Sequence, residues 1–445
     1  MQGVWLIDAA IDVPWRRDSS RWDARQNSKV ACRREAHLRQ AARLPTARTS
    51  RFTSERRAGK SHEPAPVRGN SPEPSGNMIF MGRLAIAWAT VVLFFLLGDA
   101  WLADPGAGLR AAVLFLWLFA AILWCAFGVV EQADHLANLL GEPLGSLVLT
   151  LSIVIIEVVL IAAVALGSEA TPTLGRDTMF AVVMIALNAG VGLALLLGGL
   201  RHREQAYNLQ GAVAYLAVII PLASIALILP NFTQAVPSGS LTTIQAVFFS
   251  LFTLLLYAIF LLIQTQRHQG FFVEAPAEGT ARAAAGMHEK RSPSGAALVR
   301  HTFLLLVTLL PIVLLSGRLA MLIDHGTAAL GAPAALGGVL IAIIVFAPEG
   351  ITALAAARAN QLQRSINLCL GAATSTIGLT VPAILVIGLM TGKTMILGLE
   401  PTGVTLLVLT LILSTLTFSG PRTTVLEGAV HLVVFLVYVV LIFSP

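Results

Sequence analysis

Two apolar stretches, each long enough to cross a bilayer, carry a single carboxylate near the middle. Residues 144–167 read LGSLVLTLSIVIIEVVLIAAVALG and contain Glu157, whereas residues 334–357 read AALGGVLIAIIVFAPEGITALAAA and contain Glu349. An ionised acid at the centre of a spanning helix costs roughly 2.5–3.5 kcal/mol on insertion scales, so such residues face a polar cavity and have a function there. The chain must therefore fold so that both carboxylates are shielded from lipid.

The composition excludes a soluble globular protein. Hydrophobic residues make up 56% of the chain, charged residues only 12%, and the mean hydropathy is +0.78. The formal charge of +6 comes from residues 1–80, which have a net charge of +7, while the remaining residues have a net charge of −1. A nucleic-acid partner is not expected for the membrane domain, and the bilayer is its predicted surrounding.

Residues 1–80 show no sustained apolar periodicity and end in a segment rich in Pro, Ser and Gly. We predict a basic, disordered N-terminal segment. Because Met78 lies directly before the first spanning segment, residues 1–77 are interpreted as an upstream extension or a dispensable cytoplasmic tail. A complete loss of transport in a chain that starts at Met78 would contradict this interpretation. The remaining chain divides into a first membrane half at 81–265, a linker at 266–298 and a second half at 299–445.

Apolar windows of about 20 residues predict eleven transmembrane helices in an all-α membrane protein. The predicted spans are 83–102, 109–130, 144–167, 178–199, 211–230, 243–265, 299–323, 334–357, 366–390, 401–418 and 424–443. With the N-terminus in the cytoplasm, ten Lys and Arg residues lie inside and three outside, which obeys the positive-inside rule. An odd number of spans then places the C-terminus on the external or periplasmic side of the membrane.

The sequence contains an internal repeat. Residues 134–143 read DHLANLLGEP and residues 324–333 read DHGTAALGAP, so each glutamate-bearing span is preceded by Asp-His-x4-Leu-Gly-x-Pro. The correspondence continues from Arg176 and from Arg364, which aligns Asn188 with Thr376. Five spans separate equivalent points of the two copies. Because this number is odd, the helices of the second copy cross the membrane in the opposite direction to those of the first. Two inverted five-helix repeats, the first at about 109–265, are typical of secondary transporters with a site near the membrane midplane.

Two carboxylates that face each other in a water-excluded part of the membrane domain can bind a cation. Calcium takes six to eight oxygen ligands, and neutral oxygens are available on Asn188 and on the cluster of Thr374, Ser375 and Thr376. Pro348 lacks a backbone donor, so the helix is expected to open beside Glu349 and present carbonyl oxygens. Repulsion and lost hydration favour protonation of an empty pair. Cation and proton would then compete for the same oxygens.

Charged residues near the ends of the predicted spans form a candidate access path for protons or cations. They are Glu131, the pair Asp134 and His135, and the repeated pair Asp324 and His325. Helix capping and turn formation are the alternative explanation for the repeated pairs. His431, alone in the last span, is predicted to be a packed histidine. The three cysteines, Cys32, Cys125 and Cys369, have no metal-ligand spacing and are interpreted as structural thiols, and no cofactor is predicted.

Four motifs resemble the cation/calcium exchanger superfamily, and within it the ChaA-type bacterial antiporters. They are GEPLGSLVLTLSIVIIEVVLIAAVAL, RDTMFAVVMIALNAGVGL, APEGITALAAARANQLQRSINLCLGAATSTIGLTVP and FSGPRTTVLEGAVHLVVF. The resemblance covers about residues 80–445. It implies a sodium/calcium exchanger-like fold and cation/proton antiport, with Glu157 and Glu349 as cation ligands and proton carriers. Small inorganic cations are the implied substrates: calcium, with sodium and potassium linked to the ChaA type.

The chain departs from the superfamily at two positions. The asparagine that is common three residues before each repeat glutamate is replaced by Val154 and by Phe346. A monovalent-only cation/proton exchanger is therefore an alternative, and a cation channel is another. An intramembrane enzyme or an ATP-driven pump is disfavoured, because the chain has no HExxH, GxSxG or Walker A motif. The oligomeric state is left open.

Overall fold

The computed structural model describes residues 74–102, 108–141, 144–165, 172–237, 239–272 and 295–444, all within the unit Pro72–Pro445. The predictions for residues 1–73 and for most of the linker concern residues outside these ranges. Eleven helices are present in the described residues, as predicted. They are α1 (Pro74–Leu102), α2 (Leu109–Leu140), α3 (Leu144–Ala165), α4 (Leu174–His202), α5 (Leu209–Phe232), α6 (Thr243–Arg267), α7 (Gly295–Leu330), α8 (Ala335–Arg358), α9 (Leu362–Thr391), α10 (Pro401–Thr417) and α11 (Val425–Phe443).

Ion pairs mark the two faces of the bundle. At the face where α1 begins, which we call the near face, Arg83 of α1 contacts Glu131 of α2 at 3.0 Å. At the opposite or far face, Arg318 of α7 contacts Asp99 of α1 at 2.5 Å. Within each repeat, consecutive helices are joined by short connections and therefore alternate in direction between the faces.

Nine of the described helices are long and apolar enough to cross a membrane, and α3 and α10 contain shorter apolar segments, Val148–Ala163 and Pro401–Thr417. With 32 and 36 residues, α2 and α7 are roughly 48 and 54 Å long and extend beyond a hydrocarbon core of about 30 Å. The repeated Asp-His pairs lie inside these helices. The alternative explanation that the repeated Asp-His pairs form turns is therefore wrong.

The inverted repeat is visible in the helix pairing. Helix α2 packs along α7, the corresponding helix of the second repeat, while α8 crosses α4 and α3 crosses α9. A Cβ atom on Gly338 of α8 would lie 2.7 Å from the backbone nitrogen of Thr178 on α4. The two backbones can approach this closely only because residue 338 has no side chain. The repeats thus interlock at the centre of the bundle.

Helices α4 and α9 share a local irregularity at matching places. A π-helical turn occupies Ile185–Gly190 in α4 and Thr376–Thr380 in α9. Such turns widen the helix and change the direction of the side chains that follow, and they are common at functional sites. Asn188 and Thr376, which the repeat aligns, both lie in these turns.

A small ladder that the sequence did not predict joins two near-face connections. Strand β1 (Gln205–Ala206) pairs antiparallel with β2 (Arg422–Thr423), in the connections that precede α5 and α11. Beside it, the Tyr207 hydroxyl donates to the carbonyl oxygen of Gly420. Burial raises the pKa of Tyr207 to about 12, so the hydroxyl keeps its proton and this hydrogen bond persists at ordinary pH.

Candidate functional site

The two repeat glutamates meet in the centre of the bundle. Glu157 on α3 is fully buried, and the Thr376 hydroxyl of α9 donates to its Oε2 atom at 3.0 Å. The other oxygen, Oε1, has no hydrogen-bond partner among the described residues, and neither does the buried Oε2 atom of Glu349. Buried carboxylate oxygens without partners are costly unless a proton or a cation occupies them.

The charges of the two carboxylates are coupled. Glu349 lies within electrostatic reach of Glu157 on the opposite repeat and of Asp134 on α2. In a medium of low dielectric constant, two ionised carboxylates repel strongly, and a shared proton or a cation removes this repulsion. The pair is therefore chemically suited to exchange one positive charge for another.

Glu349 differs from Glu157 because it is partly exposed to a cavity of about 210 Å³. The cavity runs along α9 from Arg364 in its first turn to Ser375, a depth of roughly 16 Å from the near face. Its lining comes from both repeats: Leu149, Thr150, Ile153, Tyr215, Tyr257, Phe260, Leu261, Gln264, Glu349, Arg364, Asn367, Leu368, Gly371, Ala372 and Ser375. This path leads to Glu349 from the near face, and Glu157 does not line it.

The three hydroxyl residues that were predicted as a cluster on α9 make different contacts. Only Thr376 contacts a glutamate, since Thr374 donates to the Leu370 carbonyl at 2.6 Å and Ser375 donates to the Ala372 carbonyl at 3.1 Å. Ser375 still lines the near-face cavity. Thr380, one turn beyond Thr376, is fully buried, and its hydroxyl lies close enough to Glu157 to interact with the carboxylate. It is a candidate ligand that the sequence analysis did not include.

Asn188 does not join the glutamates in this structure, although the sequence analysis offered it as a ligand. Its Nδ2 atom donates to Thr410 Oγ1 at 2.9 Å, and its Oδ1 atom lies 3.2 Å from Nδ1 of His431. His431 is fully buried and its Nε2 atom lies 3.0 Å from the Thr417 hydroxyl. The amide thus ties α4 to α10 and α11, and His431 is packed as predicted.

Replacing Asn188 with Ala is expected to destabilise the protein without changing its cation preference. The substitution leaves Thr410 and His431 without their amide partner in a dry environment, which costs about 1–3 kcal/mol. A lower unfolding temperature of the purified protein in detergent would show this loss. An unchanged unfolding temperature together with an altered order of cation affinities would instead place Asn188 among the ligands.

The candidate access residues lie in different environments. Glu131 is held in its ion pair with Arg83, and the His135 ring lies 5.2 Å from the His301 ring of α7. Asp134 is exposed at the near face, where the charge of Arg364 acts on it. Asp324 and His325 lie near the far end of α7, and His325 lines a mostly apolar cavity. Of the five, Asp134 is the one within electrostatic reach of Glu349.

The expectation that α8 opens at Pro348 is wrong for this conformation. Helix α8 is continuous from Ala335 to Arg358 through Pro348 and Glu349. Wide turns occur instead in other helices, and those of α4 and α9 lie in helices that pack against the two glutamate-bearing helices. The helix therefore does not unwind there, and Pro348, which has no N–H, leaves only the Ile344 carbonyl without its usual helical donor.

Several lining residues of the near-face cavity were missed in the sequence analysis. The Gln264 amide of α6 donates to the Tyr215 hydroxyl of α5 at 2.9 Å, and Tyr257 and Asn367 also line the cavity. These residues could have been identified from the sequence, because each places a polar side-chain group in an otherwise apolar helix. Sequence alone does not show which face of each helix turns towards Glu349.

Comparison with known proteins agrees with this architecture. The family model described as sodium/calcium exchanger protein matches residues 110–266 and 300–444. The protein y4hA of Sinorhizobium fredii, whose name places it among ionic transporters, is 41% identical over 337 residues, which cover 76% of this chain and 90% of the relative. The sodium-potassium/proton antiporter ChaA of Escherichia coli is 38% identical over 351 residues, which cover 76% and 94%.

The fold is also found among solved structures. The structure of native YfkE, a protein described in its selenium-substituted crystal form as a Ca²⁺/H⁺ antiporter, superposes with a TM-score of 0.63 at 17% identity. The superposition covers 82% of this chain and 100% of YfkE. At this identity the likeness establishes the fold only. Taken with the family match and the two relatives, it shows that this chain belongs to the sodium/calcium exchanger family, as a ChaA-type member of the cation/calcium exchanger superfamily.

Proposed function

We propose that the protein is a secondary active antiporter that exports calcium, with sodium and potassium as further candidate substrates, in exchange for protons. Glu157 and Glu349 form the shared cation and proton site. The proposal depends above all on one observation: two carboxylates from opposite repeats, each with a buried oxygen that lacks a hydrogen-bond partner among the described residues, and one of them on a cavity from the near face.

Competition at this site is sufficient for exchange. A cation that binds displaces the protons, and protons that bind release the cation, because both occupy the same oxygens. Transport is coupled if the two repeats change conformation only when the site is filled, by a proton or by a cation. No nucleotide and no cofactor is required for this cycle, since the proton gradient supplies the free energy.

The near face is assigned to the cytoplasm of a bacterial inner membrane. Most Lys and Arg residues of the connections fall on this side, which supports a cytoplasmic N-terminus and an external or periplasmic C-terminus. The cavity that reaches Glu349 would then open to the cytoplasm, so the structure corresponds to an inward-open state. A channel is less well supported, because the path to the glutamates runs from one face.

A monovalent-only cation/proton exchanger is the second candidate function. The described oxygen ligands at Glu157 are its own carboxylate and hydroxyls, and the Glu349 cavity adds the amides of Gln264 and Asn367. The Asn188 amide is turned away, and Val154 and Phe346 provide no amide. This set is smaller than the six to eight oxygens that calcium prefers, unless waters complete it. The name of the ChaA relative, a sodium-potassium/proton antiporter, also favours this candidate, whereas YfkE is described as an antiporter of calcium.

The substrate can be identified in everted membrane vesicles with an imposed proton gradient. A pH-sensitive dye reports the gradient while chloride salts of calcium, sodium, potassium or magnesium are added, with choline chloride as the control. Antiport predicts that at least one of these cations collapses the gradient and choline does not. A response to sodium or potassium without one to calcium would select the monovalent exchanger, and no response to any cation would refute the proposal.

The apparent KM for the exported cation is expected to fall as the cytoplasmic pH rises. At low pH the carboxylates carry protons and the cation must displace them, so each competing proton changes KM by up to about tenfold per pH unit. Initial rates in vesicles clamped at several pH values, with ionophores holding the gradient constant, would measure this slope. A KM that does not change between about pH 6 and 9 would show that protons and cations do not share a site.

A further inference from the structure

A second cavity of about 300 Å³ lies at the far face. It is formed by the first turns of α4, the beginning of α8, and helices α10 and α11, and it stops at Phe180 and Leu406 without reaching Glu157. A group of charged residues lies at this cavity, among them Arg176, Asp177 and Glu400. None of these residues has a part in the site described above.

The two cavities are copies of each other under the inverted repeat. On α4 and α9 an offset of 188 residues relates Arg176 to Arg364, and Phe180 to Leu368. On α6 and α11 an offset of 181 residues relates three further lining residues: Tyr257 to Tyr438, Phe260 to Leu441, and Leu261 to Ile442. Equivalent residues therefore build equivalent spaces on opposite faces, but only the near-face cavity reaches a glutamate.

The two equivalent arginines differ in their contacts. Arg176 is buried, and it donates from Nε to Asp177 Oδ1 at 2.8 Å and from Nη1 to the Gly398 carbonyl at 3.0 Å. Its Nη2 atom also lies 3.9 Å from Glu400. Arg364 is exposed, and among the described residues it has no hydrogen bond or ion pair. The arginine at the far-face cavity, which does not reach a glutamate, is thus held in place, and the one at the near-face cavity, which reaches Glu349, is released.

We propose that Arg176 is a lock that prevents the far-face cavity from extending to Glu157, and that Arg364 is the same lock in its released state. The contact to Gly398 ties the first turn of α4 to the connection between α9 and α10, so α4 cannot move away while the lock is engaged. The inference rests on the proposed alternating access. It assigns a role to two arginines that neither bind the cation nor contact the glutamates.

The surroundings of the near-face arginine contain candidate partners for the closed state. Its neighbour Gln363 accepts a hydrogen bond at 2.7 Å from the backbone nitrogen of Asn208, in the connection between α4 and α5. This connection is the repeat counterpart of the one that holds Gly398. The charge of Arg364 also acts on Asp134 of α2. Closure of the near face would engage Arg364 with these groups while Arg176 is released.

The two locks are unequal. Asp177, which binds Arg176, corresponds to Ser365, whose buried hydroxyl has no hydrogen-bond partner among the described residues. A carboxylate beside a guanidinium gives a charge-assisted contact that a hydroxyl does not match. The stronger lock at the far face therefore biases the protein towards the state that is open at the near face.

The lock can be tested by thiol labelling in a background with the three native cysteines changed to Ser. Leu406→Cys reports on the far-face cavity and Ala372→Cys on the near-face cavity, each labelled with a membrane-impermeant maleimide in vesicles of both orientations. Arg176→Gln removes the guanidinium that forms the lock. Asp177→Ser gives Arg176 a serine neighbour, as Arg364 has in Ser365. Arg318→Gln is the matched control, since it removes a far-face ion pair outside the cavity.

We expect Arg176→Gln and Asp177→Ser each to raise the labelling rate at Leu406→Cys by about tenfold and to lower it at Ala372→Cys. Ser365→Asp should have the reverse effect. Unchanged labelling in the first two variants, or an equal rise in Arg318→Gln, would overturn the lock. Labelling needs no transported cation, so this outcome is distinct from failure of the proposed function, which would appear as wild-type vesicles that respond to no cation.

Discussion

Changing Glu157 or Glu349 to Gln is expected to reduce cation-dependent collapse of a proton gradient by about 100-fold or more. Glutamine preserves the shape of the side chain but neither balances the charge of a buried cation nor carries a proton through the cycle. Leaving a buried ion without its counter-charge costs about 3–5 kcal/mol, and every 1.4 kcal/mol corresponds to tenfold in binding. Both variants should therefore be inactive with every cation that the wild type transports.

The measurement is the dye assay in everted vesicles, with equal amounts of each variant in the membrane. Glu204→Gln provides a matched control, because Glu204 lies in an exposed ion pair with Arg422 at the near face and should keep wild-type activity. Wild-type activity in Glu157→Gln and in Glu349→Gln would show that the glutamates are structural. The two carboxylates would then not form a shared cation and proton site.

The second large effect is expected at the crossing of α4 and α8. In Gly338→Val the new Cβ atom would lie 2.7 Å from the Thr178 nitrogen and 2.8 Å from the Asp177 carbonyl carbon. Backbone cannot move aside as a flexible side chain can, so the helices must separate at the point where the repeats interlock. Overpacking of a core usually costs about 1–3 kcal/mol, and a clash between two backbones should exceed this range.

The yield of monodisperse protein after extraction, and its unfolding temperature, measure the effect of this substitution. Gly317→Val on α7 is the comparison, since a Cβ atom on Gly317 meets nothing within 4 Å. We expect Gly338→Val to aggregate or to be degraded and Gly317→Val to behave as wild type. Equal yields and unfolding temperatures would mean that the close approach of α4 and α8 is not needed for assembly.

Much of the architecture could be predicted from the sequence because a bilayer restricts the choices. Long apolar runs without water must form helices, so the eleven helices were predictable, and an odd number of spans between the repeated Asp-His motifs implied inversion. The glutamates in residues 144–167 and 334–357 stood out because a charge in that position is costly. The tail, the linker and the roles of individual ligands remain predictions.

Other features depended on contacts between residues far apart in the chain. Asn188 and Thr376 are equivalent by sequence, yet Thr376 bonds Glu157, 219 residues away, while Asn188 bonds Thr410 and His431, 222 and 243 residues away. The neighbours that a helix packs against decide which of these polar side chains meets a carboxylate. The same is true of Arg176 and Arg364, which occupy the same position in the repeat and differ in their hydrogen bonds.

The sequence by itself determined the membrane class, the number of helices, the inverted repeat and the two buried acids, because each of these follows from local hydropathy and spacing. Only the tertiary structure decided that α8 is continuous through Pro348 and that a cavity reaches Glu349 from the near face. It also decided that, within the described part of the chain, Arg176 has hydrogen-bond partners and Arg364 has none. An inverted repeat fixes which residues correspond, but the two halves occupy different conformations in any one state. That asymmetry becomes visible only in the packing between the repeats, even where a residue difference such as Asp177 against Ser365 contributes to it.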